Sequence, residues 1–314
     1  MQIRSLRGSL MLLLASMVWG FAFVAQRIGM DSMQPLSFNG IRTLLAGICL
    51  LPVVAVSDRR NPAPPTLTRA LRKRQLLAGL LCGLFLFLAS NLQQAGLVST
   101  SAGKSGFITA LYVVLVPVVN FTLFRKNPGR WIWVSVVLAV AGLFLLCVPS
   151  GERFSLNRGD MLTLGCAVCF TGHILVVDYF SPGVDPIRLS CHQFFISGSL
   201  AFLLSLFTES VSWSGICSAL PSLLYAGVIS GAVGYTLQIL GQKATPPTTA
   251  SLLMCLESVF AVLSGALILG EHMTPREMVG CCIMFVSVVL AQLSPVISSR
   301  KKKVKPVKMI AESR

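Results

Sequence analysis

Ten apolar stretches of about 20 residues, almost free of charge, recur along this chain in two sets of five. A stretch of that length spans about 30 Å as a helix rising 1.5 Å per residue, which matches the hydrocarbon thickness of a bilayer. The first set lies near residues 9–29, 36–57, 75–94, 101–123 and 131–148, and the second near 159–180, 186–208, 217–240, 248–269 and 276–295. In lipid, backbone polar groups must be satisfied within the spanning segment, so each stretch predicts a helix. With 54% hydrophobic and only 12% charged residues, and a mean hydropathy of +0.77, little chain remains for a soluble domain. The fold class is therefore an all-α integral membrane protein with ten transmembrane helices.

The two sets also align with each other. Placing Gly8 on Gly159 brings Trp19 onto Phe170, Pro35 onto Pro186 and Arg42 onto Gln193 at a single offset. Gly79 and Gly83 then fall near Gly227 and Gly231, each pair forming GxxxG. After a small shift, Thr100 meets Thr245, Leu111-Tyr112 meets Leu256-Glu257, and Lys126 meets Glu271. Because each set holds an odd number of spans, the second must enter the membrane from the opposite face. This reading gives two inverted five-helix repeats at 1–149 and 150–295, followed by a basic tail at 296–314.

Lys and Arg set the expected orientation. With the N-terminus in the cytoplasm, the inner face receives Arg4, Arg7, the Arg59–Arg74 cluster, Arg125, Lys126, Arg130, Arg188, Lys243 and the tail. The outer face receives Arg27, Lys104, Arg153, Arg158 and Arg276. That asymmetry places both termini on the cytoplasmic side. It also accounts for the net charge of +15 without nucleic acid, since the charge is spread over loops with no interleaved aromatics. The tail, with Arg300 to Lys303, Lys305 and Lys308, is expected on anionic lipid headgroups at about 1 kcal/mol per basic residue. Arg4 and Arg7 before an apolar run resemble a signal peptide, but the run continues through Phe23, so an uncleaved first helix is expected.

Chemistry-bearing groups are few. Cys166, Cys169 and His173 form the one arrangement suggestive of metal or redox chemistry. A single CxxC inside a spanning segment, with no second ligand pair, reads as structural. No Gly-rich phosphate loop is present and no cofactor is called for. Glu257 and its counterpart Tyr112 fall near the middle of segments 9 and 4. A carboxylate facing lipid at that depth costs on the order of 3 kcal/mol, so Glu257 should face a cavity or a partner. Ala250, Met254, Glu257, Ala261 and Gly265 share one helical stripe. Arg42 is the other charge within a span, and the two read structurally as an ion pair, or as snorkelling of Arg42 to the headgroups, or functionally as Arg42 binding or gating an anionic group of a solute while Glu257 binds a cationic group or carries a coupling proton. Further candidates for the translocation path are Trp19, Asn91, Gln94, His173, Tyr235 and Gln238, with interhelical hydrogen bonding an equal explanation for the amides.

These residues carry a family resemblance. Trp19-Gly20, Arg42 after Pro35 and Phe38, Phe107-Ile108 through Val116-Pro117, Leu256-Glu257, Gly270-Glu271 and Gly280 resemble, in order, the EamA family of ten-helix carriers in the drug/metabolite transporter superfamily. The resemblance covers about residues 8–295. It implies a bacterial inner-membrane solute carrier of two five-helix halves around a central cavity, usually an exporter of small metabolites or drugs and not an enzyme. Ser258 stands where the family often has proline, so no proline kink is expected in segment 9. The expected partners are a small-molecule solute and the bilayer, with a monomer or homodimer both open. A channel would show a filter or charge rings, and an intramembrane enzyme an assembled nucleophile or metal set.

Overall fold

A computed structural model of the protein describes residues 2–60, 69–100, 102–148, 157–270 and 272–303. Among these, ten helices are long and apolar enough to cross a membrane: α1 Leu6–Met30, α2 Pro35–Arg59, α3 Arg69–Gly96, α4 Ser105–Thr122, α5 Arg130–Cys147, α6 Arg158–Gly183, α7 Pro186–Thr208, α8 Leu220–Gln242, α9 Pro247–Ile268 and α10 Pro275–Ser294. They correspond one for one with the ten segments read from the sequence. Glu271, Arg153, Lys305 and Lys308 lie outside the described residues.

Local chemistry sets where the helices begin. Proline opens α2, α7, α9 and α10, at a position where the missing N–H has no helical partner anyway. Asn157 and Asp160 form a reciprocal capping box on α6, with bonds of 2.9 and 2.7 Å. Asp185 accepts from the Arg188 N–H at 2.8 Å to cap α7, and Thr274 with Glu277 caps α10. Each such cap contributes about 1 kcal/mol. At its far end α9 closes on Gly270 at φ 68°, a left-handed turn that glycine adopts without strain.

Packing repeats between the halves. α1 runs along α8 as α6 runs along α3, α2 pairs with α7, α5 pairs with α10, and α4 meets α9 with α6 and α1 alongside. Advancing every helix of the first half by five, and exchanging the second half back, maps this set of contacts onto itself. The close approaches repeat too. A Cβ built on Gly8 would lie 2.9 Å from the Gly241 carbonyl oxygen, and one on Gly159 would lie 2.6 Å from that of Gly96. The GxxxG motifs are shifted from the register read in the sequence, with Gly83 and not Gly79 matching Gly227: a Cβ on Gly83 would sit 2.8 Å from the Ile196 Cβ and 3.1 Å from the Gln193 carbonyl oxygen of α7, and one on Gly227 2.9 Å from Leu45 Cδ2 and 2.8 Å from the Arg42 carbonyl oxygen of α2. Lipid tails are as apolar as leucine, so helix association here rests on such close van der Waals contact, which bulkier residues would prevent.

Two helices are interrupted at equivalent points. α4 divides at Leu111, between Ala102–Ala110 and Tyr112–Thr122, and α9 divides at Cys255 and Leu256, between Pro247–Met254 and Glu257–Leu269. Leu111 has φ/ψ of −60°/−10° and Leu256 −63°/−10°. The Leu111 N–H bonds the Ile108 carbonyl, and the Leu256 N–H that of Leu253, both at 3.2 Å and three residues back. A locally tightened turn, not a proline, makes both breaks. α8 departs in the other sense, with an 11-residue π-helical stretch over Tyr225–Tyr235. The corresponding part of α3 stays α-helical.

Candidate functional site

The breaks and the loosened stretch converge on one cavity of about 60 Å³, lined from α1, α2, α3, α4, α6, α8 and α9. Its aromatic wall consists of Trp19, Phe23, Tyr112, Phe170 and Tyr235, and its polar groups include Gln26, Arg42, Ser90, Gln93, Gln238 and Glu257. Trp19 is fixed by its indole N–H, which donates to the Ser230 carbonyl in the π-helical stretch at 3.1 Å, and by the Tyr235 ring with centroids 4.9 Å apart. Because the π turns shift the register of α8, both Ser230 and Tyr235 reach the cavity. Such departures from α geometry concentrate at functional sites.

Arg42 is held from behind. Its Nε donates to Asn39 Oδ1 at 2.8 Å, and Asn39 donates in turn to the Ser90 carbonyl and to Asn91 Oδ1, each at 3.3 Å. The guanidinium also lies 6.0 Å from the Phe38 ring. Across the cavity, Tyr112 Oη donates to Glu257 Oε1 at 3.4 Å. Among the described residues neither Arg42 nor Glu257 takes part in an ion pair, with each other or with a third group. A guanidinium and a carboxyl group thus share one buried space without pairing, an arrangement suited to a polar guest.

Of the nine residues singled out in the sequence, Trp19, Arg42, Tyr112, Tyr235, Gln238 and Glu257 line the cavity. Asn91, Gln94 and His173 do not; Gln94 and His173 stand directly behind groups that do, and Asn91 is one residue further back. Asn91 orients Asn39 and hence Arg42. Gln94 donates to Gln26 Oε1 at 3.3 Å. His173 is fully buried, bonded through Nε2 to Gln193 Oε1 at 2.9 Å, with its ring edge-on to Tyr235. Cys166 contacts the Thr109 hydroxyl, and no group of three His, Cys, Asp or Glu that could hold a metal occurs among the described residues.

Sequence reading missed Phe23, Gln26, Ser90, Gln93, Phe170, Ile174, Ser230 and Met254, although the repeat held a signal for several. The offset joining Trp19 to Phe170 joins Phe23 to Ile174. The offset joining Tyr112 to Glu257 joins Ser90 to Tyr235 and Gln93 to Gln238. All ten of these residues face the cavity, so five equivalent pairs build most of it.

Ten spanning helices in two halves with matching contacts, closed around an aromatic and polar central cavity, define a multi-pass membrane protein. Sequence comparison gives the family. The profile of the EamA-like transporter family matches residues 6–148 and again residues 157–293. The chain belongs to that family. An uncharacterized transporter of Archaeoglobus fulgidus is 28% identical over 291 residues, covering 93% of this chain and 87% of its own. The uncharacterized inner membrane transporter YedA of Escherichia coli is 28% identical over 316 residues, with 94% of each chain covered. A solved crystal structure, 14% identical, matches 91% of this chain and 98% of its own with a TM-score of 0.76, which establishes the shared fold.

Proposed function

We propose that the chain is a secondary transporter that exports small metabolites or drugs across a bacterial cytoplasmic membrane by alternating access. The observation that carries this reading is the pairing of cavity residues: Trp19 with Phe170, Phe23 with Ile174, Ser90 with Tyr235, Gln93 with Gln238, and Tyr112 with Glu257. A site assembled from equivalent halves stays in place when inverted repeats exchange their conformations, and discontinuous helices at its centre are the usual accompaniment. In this reading residues 1–149 and 150–295 are the two inverted repeats, both termini are cytoplasmic by the Lys and Arg distribution, and the 296–314 tail rests on anionic headgroups. The cavity of about 60 Å³ is well below the roughly 300 Å³ of typical small-molecule sites. That size supports a closed state of the cycle, in which solute entry requires the helices to part.

Arg42 is assigned to an anionic group of the solute, and Glu257 to a cationic group or a coupling proton. Tyr112, Trp19 and Tyr235 supply the wall, while Asn91, Gln94 and His173 position Arg42, Gln26 and Tyr235. Thermal stabilisation of the purified protein against a metabolite and drug library tests the assignment, since a ligand bound to the folded state raises apparent stability. A saturable hit lost in Glu257→Gln supports it. Hits retained in both Glu257→Gln and Arg42→Ala would move the site elsewhere.

A further inference from the structure

The ends of the helix pairs differ in a way that the equivalence of the halves makes measurable. Residues Asp58 and Glu209 are counterparts, as are Ser37 and Arg188, at the offset that joins Trp19 to Phe170. Each acid, at the end of its own helix, reaches the start of the other. Glu209 accepts from the backbone N–H groups of Leu36 and Ser37, both at 2.8 Å, and so caps α2 from α7. Asp58 instead pairs with the Arg188 side chain, because the first turn of α7 already has its own cap in Asp185. The counterpart of Asp185 is Gln34, which leaves the α2 amides to Glu209. A carboxylate on two helix N-terminal amides is a charge-assisted contact with favourable dipole alignment. The ion pair, by contrast, has side chains 40% and 47% exposed, where solvent screens most of its attraction.

A second contrast points the same way. On the Glu209 face, the start of α6 is tied to the loop that follows α3: Asn157 Nδ2 donates to the Ser99 carbonyl at 2.9 Å and Thr100 Oγ1 donates to Asp160 Oδ1 at 2.5 Å. On the Arg188 face, the counterparts of Asn157, Asp160, Ser99 and Thr100 are Leu6, Ser9, Ala244 and Thr245, and Ser9 bonds the Gln292 amide of α10 at 3.0 and 3.2 Å, a neutral tie where the other face has a carboxylate. Leu6 is exposed and has no polar group to offer, and the buried Thr245 hydroxyl has no hydrogen-bond partner. Loop-level ties exist on both faces, with Gln75 joined to the Asp185 backbone on one and Gln34 to Ser210 on the other. They do not distinguish the faces, whereas the bonds of Glu209 to the first α2 amides and of Asp160 to Thr100, set against the exposed Asp58–Arg188 pair, do.

We propose that the two faces are sealed unequally, the face carrying Glu209 and Asp160 being the firmer gate and the face carrying Asp58 and Arg188 the one that opens more readily. This rests on the carrier reading. With both termini cytoplasmic, the face that parts first from the closed state is the cytoplasmic one, where an exporter must load.

The test places a single cysteine at the cavity wall, Ser230→Cys, after replacement of the native cysteines, and measures its reaction with a membrane-impermeant maleimide in right-side-out and inverted vesicles. Labelling is expected to be faster from the Arg188 face. Glu209→Gln with Asp160→Asn should raise labelling from the opposite face by roughly tenfold, the scale set by losing a charge-assisted bond, while Asp58→Asn should change either rate by less than about twofold. Equal rates from both faces, or an Asp58→Asn effect as large as that of the Glu209 and Asp160 variant, would overturn the proposal while leaving saturable transport intact. Loss of saturation in a parallel flux assay would instead overturn the carrier reading beneath it. The comparison of faces in the unsubstituted gates needs no gate variant to fold.

Discussion

Tyr112 and Glu257 occupy equivalent positions in the two halves, each begins the second part of an interrupted helix, and the tyrosine hydroxyl donates to the glutamate carboxylate at 3.4 Å. The bond is long, and its partners lie in the cavity wall. Its contribution to stability is therefore small, and its value lies in aiming the carboxylate. Tyr112→Phe is expected to change unfolding free energy by no more than about 1 kcal/mol while reducing transport several-fold. A thermal unfolding curve beside a flux assay checks both halves of that statement.

Arg42 should depend on the residue that holds it. Asn39→Ala removes the 2.8 Å bond to Nε, and frees the guanidinium without removing its charge. The expected result is a raised apparent KM, by about tenfold for a bond to a charged group, with a nearly unchanged maximal rate. Arg42→Ala should abolish saturable transport of an anionic solute. An Asn39→Ala protein with unaltered KM would show that Arg42 needs no positioning.

His173 and Gln193 satisfy one bond at 2.9 Å in a fully buried setting. Replacing either alone leaves a buried polar group unmatched, at about 1–3 kcal/mol, whereas replacing both by apolar residues of similar shape is far less costly. A double-mutant cycle on His173→Leu and Gln193→Leu should therefore show strong non-additivity in thermal stability, with the double variant close to wild type.

The glycine contacts give a prediction about symmetry. Gly8 against Gly241 and Gly159 against Gly96 are equivalent approaches within 2.6–2.9 Å of a carbonyl oxygen. Valine at Gly8 or at Gly159 forces the same helix pair apart in its own half, and each is expected to destabilise by about 1–3 kcal/mol through overpacking. Comparable losses of thermal stability in the two variants would support structural equivalence of the halves, and a loss in one alone would count against it.

Much of this architecture was legible in the sequence because bilayer thickness fixes helix length and the repeat fixes which residues correspond. The Tyr112 and Glu257 pairing came directly from that alignment. Rotation of the helices was harder to read. In α3, Asn91 and Gln94 stood out as polar groups, yet Ser90 and Gln93 line the cavity. A helix apolar on nearly every side gives no stripe from which to choose between neighbours. The breaks in α4 and α9 carry no proline at the break point, and the π-helical stretch of α8 carries no local signature. Both arise where helices meet, as does the capping of α2 by Glu209, whose partners are 172 and 173 residues away.

Counter-exchange in proteoliposomes tests most directly whether this cavity carries solute by alternating access. With a solute that stabilises the purified protein, uptake is expected to be saturable, to be accelerated by the same solute on the opposite side, and to be lost in both Glu257→Gln and Arg42→Ala. Flux that rises linearly with concentration without acceleration, or full exchange in both variants, would contradict it.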